Sequence, residues 1–325
     1  YITQVERVPF EEVETLYDNE LKRYTDEEPD SEGKWTRVKI TKLDSEGVIE
    51  ETYLGGKWFI FDASDGKYSG WSIALDKNGY LHLQGGQHNR PRKHNYLPGS
   101  WEKFGFSSAE VMYWVSENPR DIESFEFVGQ PDNPRRLKGW VEYPQFIRSP
   151  DGKLFLYGRG NAWAWSLRRY DASERRWTKI SGSASAMLNR AAQENPEWYN
   201  ALGDTVPYYF PSHGFVVSWQ PGGYNMCRPW GGVLRGITFD KTGRMHVQLK
   251  HFGVGEGGRM TPGWGDFVYA YSDDLDDGFH RADGTELELP LTINPIPGHG
   301  ASMDNHSTRQ WFDLWISLIQ KAGWK

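Results

Sequence analysis

Titratable and cationic side chains are concentrated in one short stretch that follows two glycines. The stretch contributes five candidate site residues, which are His88, Asn89, Arg90, Arg92 and Lys93. A histidine changes its protonation state near neutral pH, which suits proton transfer, and the adjacent cations suit an anionic ligand. A solvated basic loop is the alternative interpretation. The pair Gly85-Gly86, which lets the backbone turn directly before His88, favours a presented site.

A second group of candidates flanks one predicted hairpin. Tyr143 precedes Pro144, which favours an extended backbone at the start of a strand. Arg159 lies between two glycines, whose small size leaves an arginine accessible to a ligand, and Asn161 follows it. Tyr143 and Arg159 are expected to meet at the same end of the hairpin. For Tyr143 alone, a buried aromatic ring with a satisfied hydroxyl is the competing interpretation.

The segments around these residues have the period-two pattern of β-strands. From residue 79 to 84, Tyr80, His82 and Gln84 alternate with two leucines, and the strand ends at the glycine pair. Residues 35–43, 47–54 and 57–62 also alternate and predict successive strands of a meander.

A recurring strand–turn–strand phrase gives the fold class. Residues 73–83 and 237–247 share an Asp/Gly turn, and residues 147–156 form a third copy whose turn reads as one residue shorter. Repeats of this kind in an all-β chain predict a β-propeller of four-stranded antiparallel blades, about seven at roughly 40–50 residues each. We expect one domain over residues 1–325 with neither a two-sheet sandwich nor a parallel sheet. A helical segment is predicted at 6–24 and another at 308–324, and the long connections are 181–206 and 250–266.

Composition narrows the function classes. Aromatic residues make up 15% of the chain and its net charge is −7, which argues against general nucleic-acid binding. The single cysteine, Cys227, allows no intrachain disulfide, and no apolar run approaches membrane-spanning length. Tyr1 at the start is compatible with a mature terminus, so we expect a secreted or periplasmic monomer that does not bind membranes.

Known sequence motifs for metals, phosphates and nucleophilic serines are lacking, and paired carboxylates of a glycosidase cannot be recognised by spacing. His82 and His246 occupy the same position of the repeat, which predicts a shared structural role for both. No cofactor is expected for catalysis. A structural Ca²⁺ in the loops is compatible with the many aspartates, although no loop spells a site.

Three segments together resemble one known family. GYLHLQGGQHN (79–89), VEYPQFIRSPDGKLFLYGRG (141–160) and RRYDASERRW (168–177) are similar to the BNR-4 repeat proteins, which include propeller lyases acting on ulvan and on rhamnose–glucuronic acid linkages. The resemblance covers roughly residues 55–280. It implies a seven-bladed propeller and an active site of His88, Tyr143 and Arg159. The family commonly has a further histidine upstream, where this chain has Asp65-Gly-Lys67-Tyr68.

The implied activity is β-elimination at a glucuronic or iduronic acid. An arginine neutralises the uronate, while a base removes the C5 proton and an acid protonates the leaving O4. The residues do not decide which of His88 and Tyr143 is the base. A sialidase-like glycoside hydrolase and a non-catalytic carbohydrate-binding propeller remain alternatives, the latter favoured if the missing histidine matters.

Overall fold

The structure is a computed structural model. It describes residues 1–63, 70–86, 93–106, 111–137, 141–159, 165–179, 216–217, 236–250, 267–275, 278–287 and 291–292. Three predicted segments lie outside this part of the chain: the helix at 308–324, the connection at 181–206, and all of the connection at 250–266 except Lys250. Lys250 is the last residue of a strand.

Strands dominate the described residues. The first two sheets use β1 (Ile2–Arg7), β2 (Trp35–Asp44), β3 (Gly47–Tyr53), β4 (Ile60–Asp62), β5 (Trp71–Leu75), β6 (Leu81–Gly85), β7 (Tyr113–Ser116) and β8 (Phe125–Phe127). The third uses β9 (Glu142–Arg148), β10 (Leu154–Arg159), β11 (Trp165–Asp171), β12 (Arg176–Lys179), β13 (Val216–Val217) and β19 (Leu291–Thr292). The fourth uses β14 (Gly236–Phe239), β15 (Met245–Lys250), β16 (Phe267–Ser272), β17 (Phe279–His280) and β18 (Glu286–Leu287).

The chain divides into two compact units. The first comprises residues 1–146 and 170–178, and the second comprises residues 147–169 and 179–325. The expectation of a single domain over the whole chain stays a prediction.

The N-terminal segment is a strand before it is a helix. β1 pairs with β2 over six residues, from Ile2 opposite Thr41 to Arg7 opposite Thr36. The helix α1 therefore runs only from Phe10 to Leu16, directly after Pro9, and continues as a π-turn and a 3₁₀ turn to Tyr24. The prediction of a helical segment over 6–24 was wrong for its first residues, because their backbone groups are used by the sheet. α1 buries Val13 and Leu16.

The first sheet also departs from a simple meander. β3 pairs with the second half of β2, whereas β4 pairs with its first half, at Trp35 to Arg37. The ten-residue β2 is long enough to accept both strands along one edge. Two glycines with positive φ, Gly55 (61°) and Gly56 (68°), turn the chain between them.

The second sheet is an antiparallel meander in the order β5-β6-β7-β8. Every residue of β6 is buried, so both faces of this strand are covered. One face packs into an aromatic core in which the ring of Phe59 meets Trp71, Phe104 and Phe106 edge-on, at centroid distances of 5.8, 6.0 and 5.8 Å. The short helix α2 spans Ser100–Lys103.

The other sheets are antiparallel except at one place. The order is β19-β13-β11-β10-β9 with β12 beside β11 in the third sheet, and β14-β15-β16-β17-β18 in the fourth. β13 and β19 pair in parallel over two residues each, a local exception in a sheet whose other described pairings are antiparallel. Successive antiparallel sheets are the architecture of propeller blades. The all-β propeller class is thereby confirmed, and the number of blades stays a prediction.

Four tight turns of identical hydrogen bonding join strand pairs. In each turn, the amide of the first residue donates to the carbonyl of the residue four positions later. The carbonyl of the first residue accepts the amide of a glycine three positions later, whose φ is near 90°. The first residues of these turns are Asp76, Ser149, Asp240 and Arg281. The sequence predicted a shorter turn in the third repeat copy, and this was wrong. The turn has the same length as the others, because Ser149 takes the place of the aspartate. Its Oγ accepts the amide of Lys153 at 3.0 Å, as Asp76 Oδ1 accepts that of Tyr80 at 2.9 Å.

Candidate active site

The glycine pair at the end of β6 is sterically required. A Cβ atom at Gly85 would overlap the carbonyl oxygen of Gly70, and one at Gly86 would overlap the indole of Trp71. Gly86 also has a φ of 65°, a conformation that glycine adopts at little expense. The backbone thus leaves β6 in the way the sequence predicts. His88, Asn89, Arg90 and Arg92 lie in residues 87–92, outside the described part of the chain.

The chain is anchored on both sides of residues 87–92. The buried hydroxyl of Tyr96 donates to the carbonyl of Gly86 at 3.2 Å. Leu97 then rejoins the core through its amide, which donates to the carbonyl of Ile60 at 2.9 Å. The two ends of the segment that carries His88 are therefore held by the packed first unit. Tyr96 was not singled out from the sequence, where it looks like one aromatic among many.

Lys93 is engaged by carboxylates of its own chain. Its Nζ lies 3.1 Å from Glu102 Oε1 and 3.3 Å from Glu27 Oε1. Hydrogen bonds to Glu102 and Glu27 raise the pKa of Lys93. The lysine therefore attaches this chain segment to the N-terminal acidic loop. Its predicted contact with substrate stays a prediction.

Tyr143 has an unusual backbone. Its φ is +50°, although the proline that follows predicts an extended conformation. The expectation of an extended entry into β9 was wrong at this residue, which follows the strand's first position in a left-handed conformation. Non-glycine residues in that region are strained, and such strain concentrates at functional sites.

A buried amide joins the segments that lead to His88 and Tyr143. Gln84 is fully buried in β6, and its Nε2 donates to the carbonyl of Val141 at 2.9 Å. Gln84 lies four positions before His88, and Val141 lies two positions before Tyr143. The amide of Phe146 donates to Ser72 Oγ at 3.2 Å and holds the same stretch farther along. Sequence alternation placed Gln84 beside His82 on one strand face but gave no sign of its partner.

The structure describes little of the two remaining candidates, Arg159 and Asn161. Arg159 is the last residue of β10, as the hairpin predicts, but its side chain is outside the described part of the structure, as is all of Asn161. The same holds for Asp65, Lys67 and Tyr68, where the family commonly has its further histidine.

His82 has the structural role that its repeat position predicts. Its Nδ1 lies 2.5 Å from the hydroxyl of Tyr113, which also accepts a hydrogen bond from Trp177 Nε1 at 2.9 Å. Because that hydroxyl already accepts from Trp177, we assign its proton to the bond with Nδ1. The imidazole proton then lies on Nε2, 3.5 Å from Asp76 Oδ2. His246 repeats the arrangement, with Tyr269 at 2.7 Å and Asp240 at 3.3 Å.

Burial keeps this network neutral apart from its aspartate. Burial lowers the pKa of His82, against the opposing effect of Asp76, and raises the pKa of Tyr113 well above its usual value. Burial, assisted by the Asp76 carboxylate, raises the pKa of Tyr170 to about 12. None of these three groups changes its charge readily near neutral pH, so they hold the sheet together and are poor candidates for proton transfer.

Within the described ranges, no three histidine, cysteine, aspartate or glutamate side chains are grouped so as to hold a metal ion. No described helix has the length and apolar character needed to cross a membrane. The expectations about Ca²⁺, a cofactor and localisation stay predictions.

Solved structures with similar backbones include lyases and a hydrolase of polysaccharides. An ulvan lyase of family PL25, bound to -[GlcA(1-4)Rha3S]-, is 14% identical with a TM-score of 0.46 over 83% of this chain and 53% of its own. The polysaccharide lyase Uly1 is 14% identical with a TM-score of 0.42 over 83% and 56%. Endo-1,5-alpha-L-arabinanase from Thermotoga petrophila RKU-1 is 10% identical with a TM-score of 0.31 over 71% and 44%.

The chain thus spans about half the length of the two lyase chains. No curated protein sequence matches it. The BNR_4 family, described as BNR repeat-containing family members, matches residues 49–297, which include the repeat phrases, the glycine pair and the β9–β10 hairpin. That match takes in most of the chain, so the chain belongs to the BNR repeat-containing family.

Proposed function

We propose that the protein is a polysaccharide lyase that cleaves next to a uronic acid by β-elimination. The observation that carries the proposal is the buried Gln84–Val141 hydrogen bond. It fixes the approach to His88 beside the approach to Tyr143, and Tyr143 itself has the strained backbone typical of functional residues. The resemblance of these same segments to BNR-4 lyases supplies the reaction class.

In the proposed reaction, Arg159 binds the uronate carboxylate and offsets the negative charge that develops on it when the C5 proton leaves. One of His88 and Tyr143 removes that proton. The electron pair forms the C4–C5 double bond, the C4–O4 bond breaks, and the other residue protonates the leaving oxygen. The products are a new sugar hydroxyl and a 4,5-unsaturated uronate, so atoms and charge balance without a cofactor.

The substrate class that we propose is an anionic polysaccharide of the ulvan or rhamnosyl–glucuronic acid type. Asn89, Arg90, Arg92 and Asn161 are proposed to contact it, since they adjoin the catalytic candidates in sequence. Lys93 is proposed to contribute through the position of this segment, because its charge is shared with Glu27 and Glu102.

The test is the ultraviolet absorbance of the unsaturated product on a panel of uronic-acid polysaccharides that includes ulvan. We expect His88→Ala and Tyr143→Phe to lower the rate by roughly 10²–10⁴-fold with an unchanged melting temperature. Tyr53→Phe is the matched control, because it removes a phenol hydroxyl that donates to Glu6 Oε2 at 3.1 Å, outside the candidate site. Full activity of Tyr143→Phe would overturn the assigned role. New reducing ends without absorbance indicate a hydrolase, and binding without cleavage indicates a binding module.

A further inference from the structure

A cavity of about 270 Å³ lies within the second unit. One wall is the turn of the β9–β10 hairpin, at Ser149 to Lys153, and the other is the fourth sheet at Phe239, the Asp240 turn and the end of β16. Arg159 ends β10 five residues beyond Leu154, which in a strand is about 17 Å. The cavity is therefore at the opposite end of that strand.

One buried hydroxyl in the cavity wall lacks a partner. Ser272 is 1% exposed, lines the cavity, and its Oγ makes no hydrogen bond in the described part of the chain. Ser116 ends the matching strand β7 of the second sheet, and its Oγ accepts the amide of Leu81 at 2.9 Å. An unpaired buried hydroxyl is unfavourable. Ser272 thus differs from its structural counterpart in having an unused hydrogen-bonding group beside an open space.

The charges around the cavity leave a positive group unused. The lining holds Lys153, Arg169 and Lys241 with Asp151, Asp273 and Asp274. Asp273 is bound through both oxygens by Arg244, at 2.5 and 2.9 Å, and Asp151 lies 2.9 Å from Lys153. Lys241 is exposed and takes part in no ion pair with a described residue. The lining residues themselves hold three cations and three carboxylates.

The floor of the cavity is apolar. Phe155 and Met245 are buried beneath it, and the half-buried ring of Phe239 lies 5.4 Å from that of Phe155. An aromatic face suits the C–H face of a sugar ring. The volume is just below the ~300–1,000 Å³ of pockets for drug-sized ligands, which suits one monosaccharide unit.

We propose that this cavity is a second saccharide site that binds one acidic sugar residue, with its carboxylate at Lys241, a hydroxyl at Ser272 and its ring on Phe239. The site would give a polysaccharide a second point of attachment to the protein. The choice of a uronate as ligand rests on the proposed function, whereas the cavity, its unpaired hydroxyl and its free cation do not.

The experiment is calorimetric titration of the full chain with D-glucuronate, with D-glucose as a neutral probe of the same ring size. We expect Lys241→Gln and Ser272→Ala each to weaken glucuronate binding about tenfold, because each removes one hydrogen bond to the ligand. Lys77→Gln is the control, because Lys77 is exposed at the same position of the Asp76 turn, and it should bind as the wild type does. Ser272→Ala should melt no lower than the wild type when no ligand is present, since its hydroxyl has no partner to lose.

Three results would overturn the proposal: wild-type binding in both cavity variants, loss of binding in Lys77→Gln, or no binding of glucuronate at all. Equal binding of glucose would overturn the assignment of an acidic ligand. Failure of the lyase proposal has a different signature, because unsaturated product would then be missing while glucuronate binding and its dependence on Lys241 persist.

Discussion

Tyr143 combines a left-handed backbone with a position before proline, and neither its ring nor Pro144 favours that conformation. Holding a non-glycine residue there costs about 1–3 kcal/mol. The surrounding contacts, such as the hydrogen bond of Gln84 to Val141, must supply that free energy. We expect that this strain lowers the stability of the fold while it holds the Tyr143 side chain in the position required for the proposed reaction.

This strain predicts different stabilities for two substitutions that both remove the phenol. Tyr143→Asn should be the more stable, because asparagine tolerates positive φ, and Tyr143→Val the less stable by about 1–3 kcal/mol, because a β-branched residue does not. Both should lack lyase activity. Urea denaturation measures the difference, and equal stabilities would show that the backbone at this position relaxes freely.

His82 predicts how stability changes with pH. Burial places its folded-state pKa below the ~6.5 of an unfolded histidine. Below pH ~6.5 the unfolded chain therefore binds a proton that the folded chain does not, so the contribution is fully present above that pH and decreases as the pH falls. Thermal melting between pH 7.5 and 5 should show this decline.

The matched variant is His82→Phe, because Phe155 occupies the corresponding position after the Ser149 turn. It should lower stability at pH 7.5 by about 1–3 kcal/mol, since Asp76 and Tyr113 lose a buried partner. It should also flatten the decline between pH 6.5 and 5. An unchanged slope would mean that other groups cause the acid sensitivity.

At the scale of elements, the repeat explains both what the sequence predicted and what it did not. The Asp76 and Asp240 turns share a visible aspartate, whose Oδ1 accepts amides within the turn. The Ser149 and Arg281 turns have the same backbone hydrogen bonds but begin with a serine and an arginine. Backbone hydrogen bonds and a glycine define this turn, not the identity of its first residue. Sequence comparison therefore found the two turns that begin with aspartate, misaligned the Ser149 turn and missed the Arg281 turn.

Long-range pairing was the least predictable property. Alternation found β2, β3 and β6, because one strand's pattern is local. Nothing local indicated that β4 returns to the edge of β2, or that two-residue strands β13 and β19 pair in parallel. For the candidate site, glycine chemistry predicted the exit from β6 correctly. The Gln84–Val141 contact was unpredictable, because it joins a side chain to a backbone group 57 residues away.

That contact predicts a positioning role for Gln84. Gln84→Met keeps much of the side-chain volume but removes the hydrogen bond to Val141. We expect it to lower kcat/KM about tenfold and stability by about 1 kcal/mol, with a similar pH profile, since the proton-transfer groups remain. Gln4→Met, at an exposed position of β1, is the control. Wild-type kcat/KM in Gln84→Met would show that the contact only stabilises the fold.

At the scale of the whole molecule, the proposed substrate and the protein have the same sign of charge. The net charge of −7 repels a polyanion at long range. We therefore propose that Arg90 and Arg92 attract it locally, within the ~8 Å over which charges act at physiological ionic strength. Much of the described surface is self-neutralised, as in the pairing of Lys39 with Glu51 at 2.8 Å.

The balance of these two effects predicts the salt dependence of binding. If short-range attraction dominates, added NaCl should weaken binding of a uronic-acid polymer, because exposed pairs are screened as the Debye length falls from ~10 Å at 0.1 M to ~3 Å at 1 M. Arg90→Gln/Arg92→Gln should bind more weakly at low salt and should depend less on salt. The comparison uses the Tyr143→Phe background, so that the polymer is not cleaved during titration. A neutral polymer that binds equally well at every salt concentration would contradict recognition by charge, and the protein would then have to select its substrate by ring stacking and shape.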